Sequence, residues 1–402
     1  MNQSTTTSSS VPVERDRLQL LLAANSAMVL LAGLNAGWIG PVLPAIASEN
    51  SIELSQLGSL ISLQFFGCII TMSLGKNTLD LLGVRNAIRL SSILWLSGLV
   101  TLATANSLTI LTLGSVLSGA GSGVNAIAST ICALRLSKGN QTGSLNRLHM
   151  FFGLGALLGP FLALGMHQTP FSYHGTFLTG ALLTSIILSL LLRAPDLPPP
   201  EDRQSAPASR EVLSKPLLWL FALVLFFYVG VESGFTAWLF VYLTGAAHLS
   251  HPMASLGMSL LWIGLTGGRL LAGLLAHRFS TRAVTINSML LATAGTSLLV
   301  AFPSFLHLSL LFVLLVGLGF GPIFPSVVAM ANIAFNRSAA LVSTIVITIG
   351  FLGGVAFPWA AGQAFTDLGS QWGMGIMLAG SLVMTALFRL TSLRSLRSLD
   401  TD

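Results

Sequence analysis

The chain has 402 residues, of which only 8% are Asp, Glu, Lys or Arg, while 53% are apolar and 40 are glycine. A soluble domain carries about 25% charged residues, so a water-facing surface of this size could not be coated. An ordinary cytosolic enzyme, a nucleic-acid binder and a disordered protein are excluded, and the net charge of +6 does not call for a nucleic-acid partner. What fits is an all-α membrane protein covered by lipid, whose helices satisfy their own backbone groups.

Residues 1–17 open with a polar stretch and read as a disordered tail rather than a signal peptide. Twelve apolar runs follow, each long enough to cross about 30 Å of hydrocarbon at about 1.5 Å per residue. Spans 1 to 6 are expected over 18–47, 54–74, 87–106, 108–134, 147–168 and 173–193. Spans 7 to 12 are expected over 215–243, 252–276, 282–302, 304–333, 338–361 and 371–391. Between the two sets lies 194–214, rich in proline and charge, which reads as a flexible linker. It divides the chain into six-helix bundles over 18–193 and 215–391, with a short tail over 392–402. Cys68 and Cys132 sit in apolar runs, with neither a disulfide framework nor a metal-ligand spacing.

The charges orient this array. With the N-terminus placed in the cytoplasm, all 19 Lys and Arg fall in cytoplasmic segments or the adjoining helix ends. Arg85 and Arg89 follow span 2, Arg135 and Arg147 flank the next cytoplasmic turn, and Arg278, Arg282 and Arg389 do the same in the second half. The opposite loops carry Glu49, Glu53, Asp367 and histidines such as His167 and His248. This is the positive-inside pattern. It implies a multi-pass protein of the inner or plasma membrane with both termini cytoplasmic.

The halves repeat at an offset of 197 or 198 residues. Gly33 falls on Gly230, Asn35 on Glu232, Gly67 on Gly264 and Arg85 on Arg282. Gly119, Gly121 and Gly123 fall on Gly317, Gly319 and Gly321. Because six spans return the chain to its starting side, the repeat is parallel, related by an axis along the membrane normal. Two such halves enclose a cavity near the midplane, and rocking one against the other exposes it to alternate sides.

This plan resembles the major facilitator superfamily over nearly the whole chain. The segment Gly75-Lys-Asn-Thr-Leu-Asp80-Leu-Leu-Gly83-Val-Arg85 is similar to the family's cytoplasmic signature, Gly-x-x-x-Asp-x-x-Gly-x-Arg, with one extra residue before the acid. The resemblance implies that Asp80, Arg85 and the repeat-mate Arg282 gate the cytoplasmic side. Tyr228-Val-Gly-Val-Glu232-Ser-Gly-Phe-Thr-Ala-Trp238 and Gly353-Gly-Val-Ala-Phe-Pro358 resemble the fucose permease and glucose/galactose porter group. Gly155-Ala-Leu-Leu-Gly159-Pro160 is similar to a motif associated with antiporters.

Glu232 is the residue singled out for chemistry, as the only acid well inside an apolar span. Burying a carboxylate costs about 2.5–3.5 kcal/mol on insertion scales, so such a group normally faces a wet cavity. There it can exchange a proton, bind a cation or accept from a solute hydroxyl; the bland alternative is a structural bond to a neighbouring helix. Arg269 lies toward the cytoplasmic end of span 8 and is expected to snorkel there. Asn35, Gln64 and Asn125 are mid-span amides that suit a polyol or an interhelical bond. Tyr228, one turn before Glu232, shares its face. Trp38, Trp238, Trp262 and Trp359 are either rings for stacking on a sugar or packing and interface anchors. Pro322 and Pro325 should bend span 10 and free a carbonyl.

The expectation is a secondary transporter of a small polar solute, with a sugar the leading candidate, coupled to H+ or Na+ through Glu232. Efflux of drugs or lipids and an uncoupled facilitator are the rivals. No cofactor, catalytic residue or metal is expected, and the chain should work as a monomer in the bilayer.

Overall fold

Lipid offers a peptide group no hydrogen-bond partner, and only a helix or a closed barrel satisfies every one. In a computed structural model, residues 10–137, 141–197, 210–303 and 306–399 are described, and among them the regular elements are all helical. The long helices of the first half are α1 (Ser10–Asn50), α2 (Leu54–Ser73), α3 (Gly75–Ala103), α4 (Leu108–Arg135), α5 (Gln141–His167) and α6 (Ser172–Arg193). Those of the second are α7 (Pro216–Gly245), α8 (His251–Leu275), α9 (Thr281–Ala301), α10 (Leu306–Ala334), α11 (Ala339–Asp367) and α12 (Ser370–Leu399). Each contains a stretch apolar and long enough to cross a membrane, twelve in all among the described residues.

Several ends differ from the expected spans. α1 starts at Ser10 and α12 runs to Leu399, so 10–17 and 392–399 are helical rather than irregular tails. Hydropathy marks only the part of a helix that lies in hydrocarbon; Pro12 sits in the first turn of α1, where its missing N–H costs nothing. The segment after α2, expected to be a loop, is helical from Gly75 and breaks at Gly83, whose φ of 72° and ψ of 171° suit glycine. Of the expected linker, Arg210–Ser214 forms a 3₁₀ turn, and 198–209 lie outside the described residues.

The repeat is built into the packing. Within the first half α1 packs on α5 and α6, and α4 on α2 and α3; within the second α7 packs on α11 and α12, and α10 on α8 and α9. The glycines explain the matching contacts. A Cβ on Gly119 would strike the backbone of Gln64, and one on Gly317 that of Leu261. Likewise Gly123 lies against the Cys68 carbonyl and Gly321 against that of Leu265. Such close approach is what small residues permit between helices in lipid.

The halves meet where α2 packs on α11 and α5 on α8, with α1 touching α7. The two seams share one aromatic device, with Phe65 and Trp262 at repeat-equivalent positions. Phe65 of α2 meets Phe351 of α11 at 5.8 Å between ring centres, and Trp262 of α8 meets Phe152 of α5 at 5.7 Å. Hydrogen bonds across the seam run from mid-depth to the face that carries Glu49, Glu53 and Asp367. The Ser55 N–H donates to Thr366 Oγ1 at 3.0 Å, Ser62 Oγ to the Val355 carbonyl at 2.6 Å and Ser259 Oγ to the Leu157 carbonyl at 2.9 Å. Toward the arginine-rich face α4 and α10 each pack within their own half. The hydrogen bonds that cross the seam among the described residues therefore gather toward the acidic face.

Candidate functional site

Glu232 lies near the middle of α7, a helix enclosed by α1, α8, α10, α11 and α12. Its side chain is partly exposed, and with helices on every side of α7 that exposure is internal rather than toward lipid. Tyr228, one turn earlier, is fully buried and donates through Oη to the Phe320 carbonyl of α10 at 3.1 Å. The Glu232 carboxyl and the Arg269 guanidinium both lie close enough to act electrostatically on this hydroxyl and on each other. Arg269 does not simply snorkel: its Nε donates to the Gly321 carbonyl at 3.2 Å. Glu232, Tyr228 and Arg269 form one polar group beside the proline-bearing segment of α10. His149 of α5, in the other half, is also within range of the Arg269 charge.

The amides of the first half form two separate places. Asn35 and Gln64 line one small cavity of about 20 Å³ with Leu60, Ser115 and Phe177, space for about one water molecule. Asn125 is buried and accepts from Ser129 Oγ at 2.7 Å, while Asn25 Nδ2 donates to the Ser129 carbonyl at 3.2 Å. That seam joins α4 to α1. The Asn25 carbonyl oxygen is buried without a partner among the described residues.

The tryptophans separate by environment. Trp38 is fully buried, edge-on to Phe177 at 6.4 Å. Trp238 is fully buried too, stacked on Phe365 at 5.0 Å, with Nε1 donating to the Pro358 carbonyl at 2.9 Å. Both occupy packing positions. Trp359 is 51% exposed, and Trp262 stands at the seam with a buried Nε1 that has no partner among the described residues. Trp238→Phe keeps the stack on Phe365 and removes the donor. It should lower stability by about 1 kcal/mol, the usual net value of one hydrogen bond, read as a lower melting temperature in detergent. A Trp238 that served as a ligand platform would instead weaken solute binding at unchanged melting temperature.

Asp80 is exposed on the helical turn before Gly83. Arg85 finds its acid elsewhere: Nη2 lies 3.2 Å from Asp196, and Nη1 donates to the Ala194 carbonyl at 3.2 Å. Arg282 does the equivalent, reaching Thr391 Oγ1 and the Phe388 carbonyl at 3.4 Å each, with its guanidinium 5.2 Å from the Phe388 ring centre. Each arginine thus clasps the start of the third helix of its half to the end of the sixth. These contacts stay within a half.

Sequence reasoning missed Arg269 and Asp196 as partners. The signal for Arg269 was present: Pro325 removes the donor to the carbonyl four residues earlier, Gly321, and Arg269 is the cation set deepest in span 8.

The family model described as the Major Facilitator Superfamily matches residues 26–358. The chain is 26% identical over 379 residues to the class D tetracycline resistance protein of Salmonella ordonez, covering 90% of this chain and 94% of that protein. It is 28% identical over 165 residues to the galactose-proton symporter of Escherichia coli K12, 40% of this chain and 34% of that one. Among solved structures, the nucleoside transporter NupG has a TM-score of 0.73 at 16% identity, covering 93% of this chain and 98% of that chain. The D-xylose-proton symporter has a TM-score of 0.74 at 14% identity, covering 92% and 97%. These two likenesses show the fold. Together with the family match over most of its length, they establish that the chain belongs to the Major Facilitator Superfamily and is a multi-pass membrane transporter of small-molecule solutes.

Proposed function

We propose that the protein moves a small polar solute, in our reading a sugar, by alternating access, coupled to protons or another cation through Glu232. The observation that carries this is the setting of Glu232: a carboxyl group at mid-depth in α7, open to the interior and beside Tyr228 and Arg269. Leaving a carboxylate at that depth is costly, and a coupling group is the reason to keep one. Asn35 and Gln64, which share a cavity, offer donors and acceptors that match sugar hydroxyls. The partial likeness to a galactose-proton symporter agrees with this. In this reading the basic face lies in the cytoplasm, and the transporter works as a monomer in the inner or plasma membrane.

Drug efflux is the second reading. It is favoured by the tetracycline resistance relative, matched over nearly all of both chains, and by Gly155 to Pro160. Thermal shift of the purified protein against sugars, nucleosides, amino acids and amphipathic drugs separates the two. A solute at about 100 times its Kd raises stability by about 2.7 kcal/mol. Stabilisation by a sugar, followed by gradient-driven uptake into vesicles, is the expected result. Stabilisation by drugs alone, with rescue of a drug-sensitive strain, replaces it with efflux. Sugar uptake indifferent to every imposed ion gradient leaves a facilitator.

A further inference from the structure

Pro325 has no N–H, so the Gly321 carbonyl of α10 loses its helical donor. Arg269 of α8 takes that place at 3.2 Å, and one residue earlier Tyr228 of α7 bonds the Phe320 carbonyl at 3.1 Å. Two helices therefore hold α10 at consecutive carbonyls, just before Pro322 and Pro325. Arg269 also lines a cavity of about 220 Å³ with Pro322, Pro325 and Ser326, which leaves room for its guanidinium and for this part of α10 to shift. The same guanidinium is within range of Glu232 through Tyr228 and, across the seam, of His149.

The first half has no such arrangement. The repeat-mate of Arg269 is the uncharged Met72, and the neighbouring Thr71 hydroxyl donates to the Ala120 carbonyl at 2.9 Å. The positions matching Pro322 and Pro325 are Val124 and Ile127, which keep their backbone N–H groups. The two prolines and the charge beside them belong to the second half, as does Glu232.

We propose that Arg269 is a positioning residue that links Glu232 to the proline-bearing segment of α10, its guanidinium exchanging between the Glu232 carboxylate and the Gly321 carbonyl that it bonds here. This rests on Glu232 as the coupling group. A hydrogen bond between two charged partners is roughly twice as strong as one to a neutral acceptor. A free, ionised Glu232 therefore draws Arg269 away from α10. A protonated or solute-engaged Glu232 returns it to Gly321, the arrangement found here, and so favours opening toward the basic face. Pro325 makes the exchange possible by keeping the Gly321 carbonyl free for it.

The test uses the full-length protein in lipid nanodiscs with spin labels at Asn146→Cys and Ile333→Cys. Both sites are exposed, near the basic ends of α5 and α10, and the native Cys68 and Cys132 are buried. Pulsed electron resonance gives the ratio of open to closed distances. Glu232→Gln, which mimics the neutral acid, is expected to raise that ratio about tenfold when Arg269 is present, within the usual range of coupling between sites. In the Arg269→Gln background the effect should fall below about twofold. Pro325→Ala restores the N–H to Gly321 and should do the same, which keeps the test available if Arg269→Gln fails to fold. Equal shifts in all three backgrounds would leave Glu232 as the coupling group and eliminate Arg269 as its link. No shift in any background would overturn both.

Discussion

Glu232→Gln should leave a transporter that exchanges solute across the bilayer but no longer concentrates it. Glutamine has nearly the volume of glutamate and keeps an acceptor beside Tyr228, but it cannot take up or release a proton. A gradient of one pH unit is worth about 1.4 kcal/mol per proton, enough for about tenfold accumulation when one proton accompanies one solute. The variant's accumulation ratio in vesicles should therefore fall to about one, while counterflow exchange continues. Its melting temperature should hold or rise, because a neutral amide is cheaper to keep at that depth than a carboxylate. Accumulation that survives in Glu232→Gln under the same gradient would remove this residue from coupling and return attention to the cavity that Asn35 and Gln64 line.

Gly155→Ala and Gly353→Ala should each be severely destabilising, and for one reason. A Cβ at Gly155 would be driven into the Leu30 carbonyl of α1, and one at Gly353 into the Phe226 carbonyl of α7. Backbone cannot rotate aside as a side chain can, so the helix pairs α1–α5 and α7–α11 would have to separate. Overpacking in a tight core costs typically about 1–3 kcal/mol, and backbone obstruction puts these sites at the upper end. Gly375→Ala is the control, since nothing lies within 4 Å of its added carbon. There the helix gains up to about 1 kcal/mol from alanine's better propensity. Melting curves in detergent should show large losses for the first two variants and none for the third. Equal behaviour of all three would mean that the close approach of these helices is not what holds each half together.

The contrast between Trp38 and Glu232 shows how legibility divides. Both lie in the most apolar parts of their helices, and both are candidates on chemistry alone. A carboxylate is so costly in hydrocarbon that its position along the chain is informative without any knowledge of its neighbours. An indole is equally at home in a core, at an interface or against a ligand. Only its neighbours separate these cases, and for Trp38 they are packing neighbours on α6. Arg85 makes the same point. The local motif suggests Asp80 as its acid, whereas the end of α6 brings Asp196 to 3.2 Å.

The order of amino acids is enough to establish the all-helical class, the twelve spans, the two halves and the offset that relates them. Those properties follow from local hydropathy and from glycine positions, which act along the chain. It also marks Glu232, because a lone acid in hydrocarbon needs no partner to stand out. The docking of the helices settles which tryptophans pack, where the bonds across the seam lie, and that Arg269 reaches the Gly321 carbonyl of α10. Those facts depend on side chains far apart in the chain, and the distances between them are set by how helices come together, which no local pattern encodes.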